Sequence, residues 1–172
     1  IDSLRAERTH RSVAITGGEP LLQCNFLEGL LPEIKTRGLE VYLETNGTLY
    51  RELKQAIKYI DIIAMDFKLP SSAVISPLWR AHKEFLKIAR KKNVFVKAVV
   101  TDKTHLADII EARNIIAKVD KEILLVLQPA TPVRARDKVV PANRINNYRD
   151  ISAEQLVNVR VIPQMHKVMG IR

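Results

Sequence analysis

The chain has 172 residues, of which 47% are hydrophobic and 27% are charged, and this composition is typical of a folded domain with a sizeable core. No apolar run approaches the roughly 20 residues of a membrane-spanning helix, and the first residues lack the apolar segment of a signal peptide. The single cysteine, Cys24, excludes an internal disulfide and predicts a cytoplasmic location. We expect one domain over residues 1–172, with no membrane partner.

The formal net charge of +9 is compatible with three interpretations. It can be a solvated basic surface, a surface for a small anionic ligand, or a surface for nucleic acid. Aromatic residues make up only 5% of the chain, which leaves little for base stacking and argues against nucleic acid. A basic nucleic-acid-binding module stays a remote alternative, which steeply salt-dependent binding would support.

Six apolar runs rich in β-branched residues predict strands, and helical patterns lie between them. The predicted strands are residues 13–16, 41–45, 60–67, 94–101, 123–127 and 159–162. Most runs are nearly continuous, which is typical of a parallel sheet buried on both faces. Asn25 and Glu28 are a plausible cap pair for the first helix, and Gly38 is its expected C-cap. The alternation predicts an α/β fold, either an open sheet or a barrel.

Residues 130–152 break this pattern. They are rich in Arg, Asn, Pro and Lys and show little periodicity. We predict a long loop there, which can carry function.

Polar motifs follow the predicted strands, where α/β folds place their active sites. The motifs include TGGEP, ETNGT, DFKLPSS, QPATP and PQMHK. Gly17 and Gly18 let a ligand approach the backbone, Glu19 can accept from an ammonium group, and Lys68 can pair with a carboxylate. A ligand with an amine and a carboxylate suits this set. Each motif alone is also compatible with a simple turn. Cys24 is compatible with a thiol that only packs in the core.

Five segments together resemble one enzyme superfamily. The stretches TGGEPLLQ, ETNGT, DIIAMDFKLPSS, LQPATP and VRVIPQMHK are similar to those of radical S-adenosylmethionine enzymes, and within them to the 7-carboxy-7-deazaguanine synthase family. The resemblance implies a partial (β/α)6 barrel of TIM-barrel type, a [4Fe-4S] cluster, S-adenosylmethionine and Mg²⁺. It implies a lyase that converts 6-carboxy-5,6,7,8-tetrahydropterin to 7-carboxy-7-deazaguanine in queuosine biosynthesis. It also implies an electron donor such as flavodoxin, and a homodimer is possible.

The resemblance assigns binding residues but no catalytic or metal-ligating side chain in this chain. Its S-adenosylmethionine contacts are Gly17, Gly18, Glu19, Thr45, Asn46, Asp66, Lys68 and Gln128. Its pterin contacts are Glu44, Gln164 and His166. Many synthases have Ser-Pro-Lys where this chain has DFK, so Asp66 departs from the family pattern.

The largest departure is in cysteines. The superfamily holds its cluster with three cysteines on the loop after the first strand, whereas Cys24 is alone and follows TGGEP. We therefore expect that the first strand, the cluster loop and the Mg²⁺ ligands are absent from this chain. The alternative within the superfamily is an activating enzyme of a glycyl-radical protein, which shares GGE and TNG, but PQMHK favours the synthase.

Overall fold

Six parallel strands form one sheet, in which each strand pairs with the next strand along the chain. The computed structural model describes residues 10–132 and 138–164. The strands are β1 (Ser12–Ile15), β2 (Glu40–Thr45), β3 (Ile62–Asp66), β4 (Asn93–Val100), β5 (Leu124–Pro129) and β6 (Val159–Val161). The sheet is not closed, since β1 and β6 are its two edges. This confirms the predicted α/β fold with a partial barrel.

Helices connect the strands. They are α1 (Cys24–Thr36), α2 (Tyr50–Ala56), the single turn α3 (Pro70–Ala73), α4 (Trp79–Ala89), α5 (Leu106–Val119) and α6 (Ala142–Ala153). Short 3₁₀ turns precede α1 (Pro20–Gln23) and follow α2 (Ile57–Tyr59). Among the described residues, no helix combines the length and the apolarity that a membrane crossing requires.

The core lies between the helices and one face of the sheet. In β2 and β4, burial alternates along the strand, and the buried set includes Val41, Leu43, Val94 and Val96. The residues between them lie on the other face and are only partly buried or exposed. The prediction of burial on both faces was therefore wrong for these strands, because the second face is the open inner face of the partial barrel.

The predicted loop at residues 130–152 was also wrong, since it contains helix α6. Ile145, Tyr148 and Ser152 are its buried residues, and they recur at helical spacing. The Arg144 guanidinium donates to the carbonyls of Asp102 and Thr104, and it thereby ties α6 to the loop after β4. The polar composition obscured this helix in the sequence, because only three of its 12 residues are buried.

The two predicted caps of α1 had different outcomes. Helix α1 begins at Cys24 with Gln23 as N-cap, so the predicted pair Asn25 and Glu28 was wrong. Gly38 follows the helix with a φ of +70°, in the left-handed region that favours glycine after a helix end, which confirms its prediction.

Candidate functional site

A cavity of about 220 Å³ lies at the carboxyl ends of β1, β2 and β3. Its lining residues are Thr16, Gly18, Glu44, Thr45, Asn46, Ala64, Asp66, Lys68 and Lys97. Six of them were predicted from sequence as ligand-binding residues, and they come from three separate motifs. Parallel pairing brings these strand ends to the same edge of the sheet, as expected.

Glu19 connects the ends of β1 and β2. Its Oε2 accepts the Asn46 amide N–H at 2.7 Å, and its Oε1 accepts the Thr45 hydroxyl at 2.8 Å and the Leu21 amide N–H at 3.2 Å. The last bond caps the 3₁₀ turn Pro20–Gln23. A carboxylate has about four acceptor positions, so Oε2 retains capacity for one further donor. The role of Glu19 as acceptor of a ligand ammonium group stays a prediction.

The Asn46 loop, which we define as Thr45 to Thr48, is held by its own side chains. Asn46 Oδ1 accepts the Thr48 amide N–H at 3.0 Å and the Thr48 hydroxyl at 2.6 Å. The Gly47 amide N–H donates to Thr45 Oγ1 at 3.2 Å. Asn46 lines the cavity, and because its Oδ1 accepts these two bonds, the two N–H donors of its carboxamide are the groups available to a ligand.

Charged groups of both signs lie in the cavity. Lys68 Nζ is 2.6 Å from Asp66 Oδ2, whereas Asp66 Oδ1 is buried and lacks a hydrogen-bond partner in the part of the chain that the structure describes. The Thr16 hydroxyl donates to Glu44 Oε2 at 3.3 Å. Lys97 stands opposite Asp66 in the register of β3 and β4, on the open face of the sheet. The cavity therefore offers acceptors and cations side by side.

The remaining predicted residues lie outside this cavity. Gly17 and Glu19 line a neighbouring groove of about 480 Å³. Gln128 is in β5, and Gln164 Oε1 accepts the Thr131 amide N–H at 2.9 Å beside the end of that strand. His166 lies outside the described residues. The structure thus places the predicted residues of the first three strands in this cavity and the neighbouring groove, whereas Gln128 and Gln164 lie outside both.

Comparison with known proteins identifies the family. Residues 1–86 match the family of 4Fe-4S single cluster domains. The chain is 40% identical over 161 residues to the 7-carboxy-7-deazaguanine synthase of Geobacter sulfurreducens, with 94% of this chain and 64% of that protein covered. It is 31% identical to the synthase of the same name from Methanothermobacter thermautotrophicus, with 94% and 70% covered. This chain belongs to the 7-carboxy-7-deazaguanine synthase family.

A solved structure agrees with this assignment at the level of fold. A domain of pyruvate-formate lyase-activating enzyme from Bacteroides vulgatus superposes with a TM-score of 0.71 at 12% sequence identity, with 89% of this chain and 99% of that chain covered. The chain spans about two thirds of the length of the synthases it matches.

The residues of the cavity fit S-adenosylmethionine, but the chain does not fit the [4Fe-4S] cluster. The unpartnered Asp66 Oδ1 and the neighbouring Lys68 suit the hydroxyl and carboxylate groups of S-adenosylmethionine. A [4Fe-4S] cluster needs several thiolates, and the 172 residues contain only Cys24. Cys24 is buried, and burial, together with the charges of Glu28 and Glu52, raises the pKa of its thiol. In addition, the described residues contain no group of three His, Cys, Asp or Glu side chains that could hold a metal ion.

Sequence reasoning missed two residues, Lys97 and His82. Lys97 interrupts the apolar run NVFVKAVV, and a lysine at an inward position of a strand is a detectable signal of an open polar face. His82 lies on the apolar stripe of α4, where nothing in the sequence distinguishes it from a packing residue. Its partner, the Asn46 carbonyl, is 36 residues away in sequence.

Proposed function

We propose that this chain forms the substrate-binding part of a radical S-adenosylmethionine enzyme that makes 7-carboxy-7-deazaguanine from 6-carboxy-5,6,7,8-tetrahydropterin. The observation that carries the proposal is the cavity at the carboxyl ends of β1 to β3, found in a chain of the synthase family. The cluster, held by cysteines outside these 172 residues, would supply radical chemistry together with S-adenosylmethionine. The residues of this chain bind S-adenosylmethionine and the pterin and orient them toward each other.

The charges of the cavity support a division of roles. Gly17, Gly18 and Glu19 bind the methionyl end of S-adenosylmethionine, with the free acceptor position of Glu19 facing its ammonium group. Their glycine backbone is open, since no atom lies within 4 Å of the Cβ position at either glycine. Asp66 and Lys68 bind its ribose and carboxylate.

The pterin occupies the side of the cavity near Glu44. A carboxylate partner suits the amide-like edge of a pterin, and Glu44 is exposed at the inner face of β2. The carboxylate of the pterin binds Lys97, which has no ion-pair partner among the described residues. Gln164 and His166 complete the proposed substrate contacts, and the cluster cysteines and Mg²⁺ ligands come from outside the 172 residues.

The test compares two glutamates of β2. Glu44 and Glu40 lie on the same face of this strand, at its carboxyl and amino ends, and Glu40 is paired with Arg11 at 3.0 Å. In the full-length protein, which includes the segment that supplies the cluster cysteines and is reconstituted anaerobically with iron and sulfide, we expect S-adenosylmethionine-dependent formation of 7-carboxy-7-deazaguanine, measured by mass spectrometry. Glu44→Gln should raise the KM for the pterin at least about tenfold, because a charge-assisted hydrogen bond is lost. Glu40→Gln should leave the KM unchanged.

Two results would contradict the proposal. One is a reconstituted protein that cleaves S-adenosylmethionine but leaves the pterin unchanged. If such a protein formed a radical on a partner protein, the activating-enzyme alternative would replace the synthase. The other is equal kinetics of Glu44→Gln and Glu40→Gln, which would remove Glu44 from the substrate site. An intact mass and an iron count on the same sample would show whether further cysteines accompany this chain.

A further inference from the structure

His82 is a fully buried histidine next to the cavity, and it belongs to none of the predicted motifs. It lies in α4 with its ring against the Phe67 ring, at a centroid distance of 4.2 Å. Its Nε2 is 3.2 Å from the backbone carbonyl oxygen of Asn46. A carbonyl oxygen can only accept, so Nε2 carries the hydrogen and donates.

Packing alone does not account for a histidine at this position. If Nε2 carries the hydrogen, Nδ1 is a bare acceptor, and Nδ1 is buried without a hydrogen-bond partner among the described residues. A buried polar atom without a partner is destabilising, and a leucine would fill a similar space without that penalty. The feature that histidine adds is its Nε2–H donor toward Asn46.

Both backbone polar groups of Asn46, its amide N–H and its carbonyl oxygen, have hydrogen-bond partners outside the Asn46 loop. Glu19 accepts the Asn46 amide N–H, and His82 donates to the Asn46 carbonyl. Asn46 Oδ1 is engaged by Thr48. The carboxamide nitrogen is the polar group of Asn46 that remains for a ligand, and its position depends on the peptide planes on both sides.

We infer that His82 is a positioning residue that holds the Asn46 carbonyl and thereby fixes the loop presenting the Asn46 carboxamide to the cavity. Its consequence for cofactor binding rests on the proposed function. His82 therefore acts from behind the loop, and it needs no contact with a ligand.

The test uses side chains that differ in their donor. Glutamine can place an amide N–H near the position of Nε2, asparagine is too short to reach the carbonyl, and leucine has no donor. The readouts are hydrogen exchange of the Asn46, Gly47 and Thr48 amides by NMR and the Kd for S-adenosylhomocysteine in the full-length protein reconstituted with its cluster. Trp79→Leu is the packing control, because the Trp79 ring also packs against the Phe67 ring, at a centroid distance of 5.8 Å, whereas it is His82 that bonds to the Asn46 carbonyl.

We expect exchange in the Asn46 loop to be about fivefold to tenfold faster in His82→Leu and His82→Asn, with a similar rise in Kd, as loss of one hydrogen bond predicts. In His82→Gln and Trp79→Leu, the exchange rates and the Kd should stay close to those of the unmodified protein. Equal exchange in His82→Gln and His82→Asn, or unchanged exchange in both, would overturn the inference. If the exchange contrast appears but the unmodified protein does not bind S-adenosylhomocysteine, the contact is real and the proposed function is wrong.

Discussion

Lowering the pH from 7 to 5 should destabilise this protein through His82. Burial lowers the pKa of His82 from 6.5 to about 4, and Lys68 acts in the same direction, whereas the Asn46 carbonyl and Asp66 oppose the shift. Below pH 6.5 the unfolded chain binds a proton at this residue that the folded state does not, so stability falls as the pH falls toward 4. Each pKa unit corresponds to about 1.4 kcal/mol, and the loss between pH 7 and pH 5 is therefore about 2 kcal/mol.

The assay is urea unfolding at pH 7, 6 and 5, with His82→Leu as the comparison. The variant lacks the titrating group, so its free energy of unfolding should fall by about 2 kcal/mol less over this range. Asp61 does not interfere. Burial raises the pKa of Asp61, but hydrogen bonds from Lys35 and the Val41 amide outweigh that effect, so the net pKa lies below 3.8. The stability that Asp61 contributes is therefore lost only at a pH below the range of this assay. Parallel pH profiles of the two proteins would refute the reasoning, because they would mean that the folded state accepts a proton at His82 readily.

Two further predictions concern the loop and the inner face. Gly47→Ala should destabilise the protein by roughly 2 kcal/mol or more in urea unfolding, because φ is +68° and the new Cβ would lie 2.5 Å from Met65 Cε. Gly29→Ala, in the exposed face of α1 with free space around it, should instead stabilise by about 0.5–1 kcal/mol, and equal effects would contradict the geometry. Lys97→Met should raise the KM for the pterin about tenfold, since it removes a charge-assisted bond to a carboxylate, whereas Lys103→Met, beyond the end of β4, should not. An unchanged KM in Lys97→Met would exclude Lys97 from the substrate site.

The sheet could be predicted because each strand can be recognised from a short stretch of neighbouring residues. Each strand is an apolar run followed by a polar motif, and the helices between them make the parallel order the natural solution. The helix α6 could not be recognised in the same way, because its buried residues are few and Asn and Arg dominate its composition. Its position is fixed by bonds from Arg144 and Tyr148 to the carbonyl of Thr104, about 40 residues away in sequence. Such bonds exist only after the fold has formed.

The site was predictable to the extent that it lies in strand-end motifs. Glu44, Asn46 and Asp66 follow or end apolar strands, and parallel pairing was sufficient to bring them together. His82 was not predictable, since a histidine in the apolar stripe of a helix is compatible with simple packing. The role inferred for His82 depends on the Asn46 carbonyl oxygen, which lies in another element, 3.2 Å from His82 Nε2. Only the folded structure shows this contact.

The motif TGGEP can be interpreted as a turn or as a ligand site, and the contacts of Glu19 show why the two interpretations are compatible. One carboxylate caps the 3₁₀ turn and accepts from both Thr45 and Asn46, and the same carboxylate lines the groove that we propose binds the ligand. A substitution of Glu19 would therefore release the Asn46 loop and also remove the acceptor proposed for the ligand ammonium group. Weaker cofactor binding in such a variant would identify a ligand contact only if exchange of the loop amides stayed unchanged. His82→Leu provides the reference for that measurement, because it should loosen the same loop while the Glu19 carboxylate is retained.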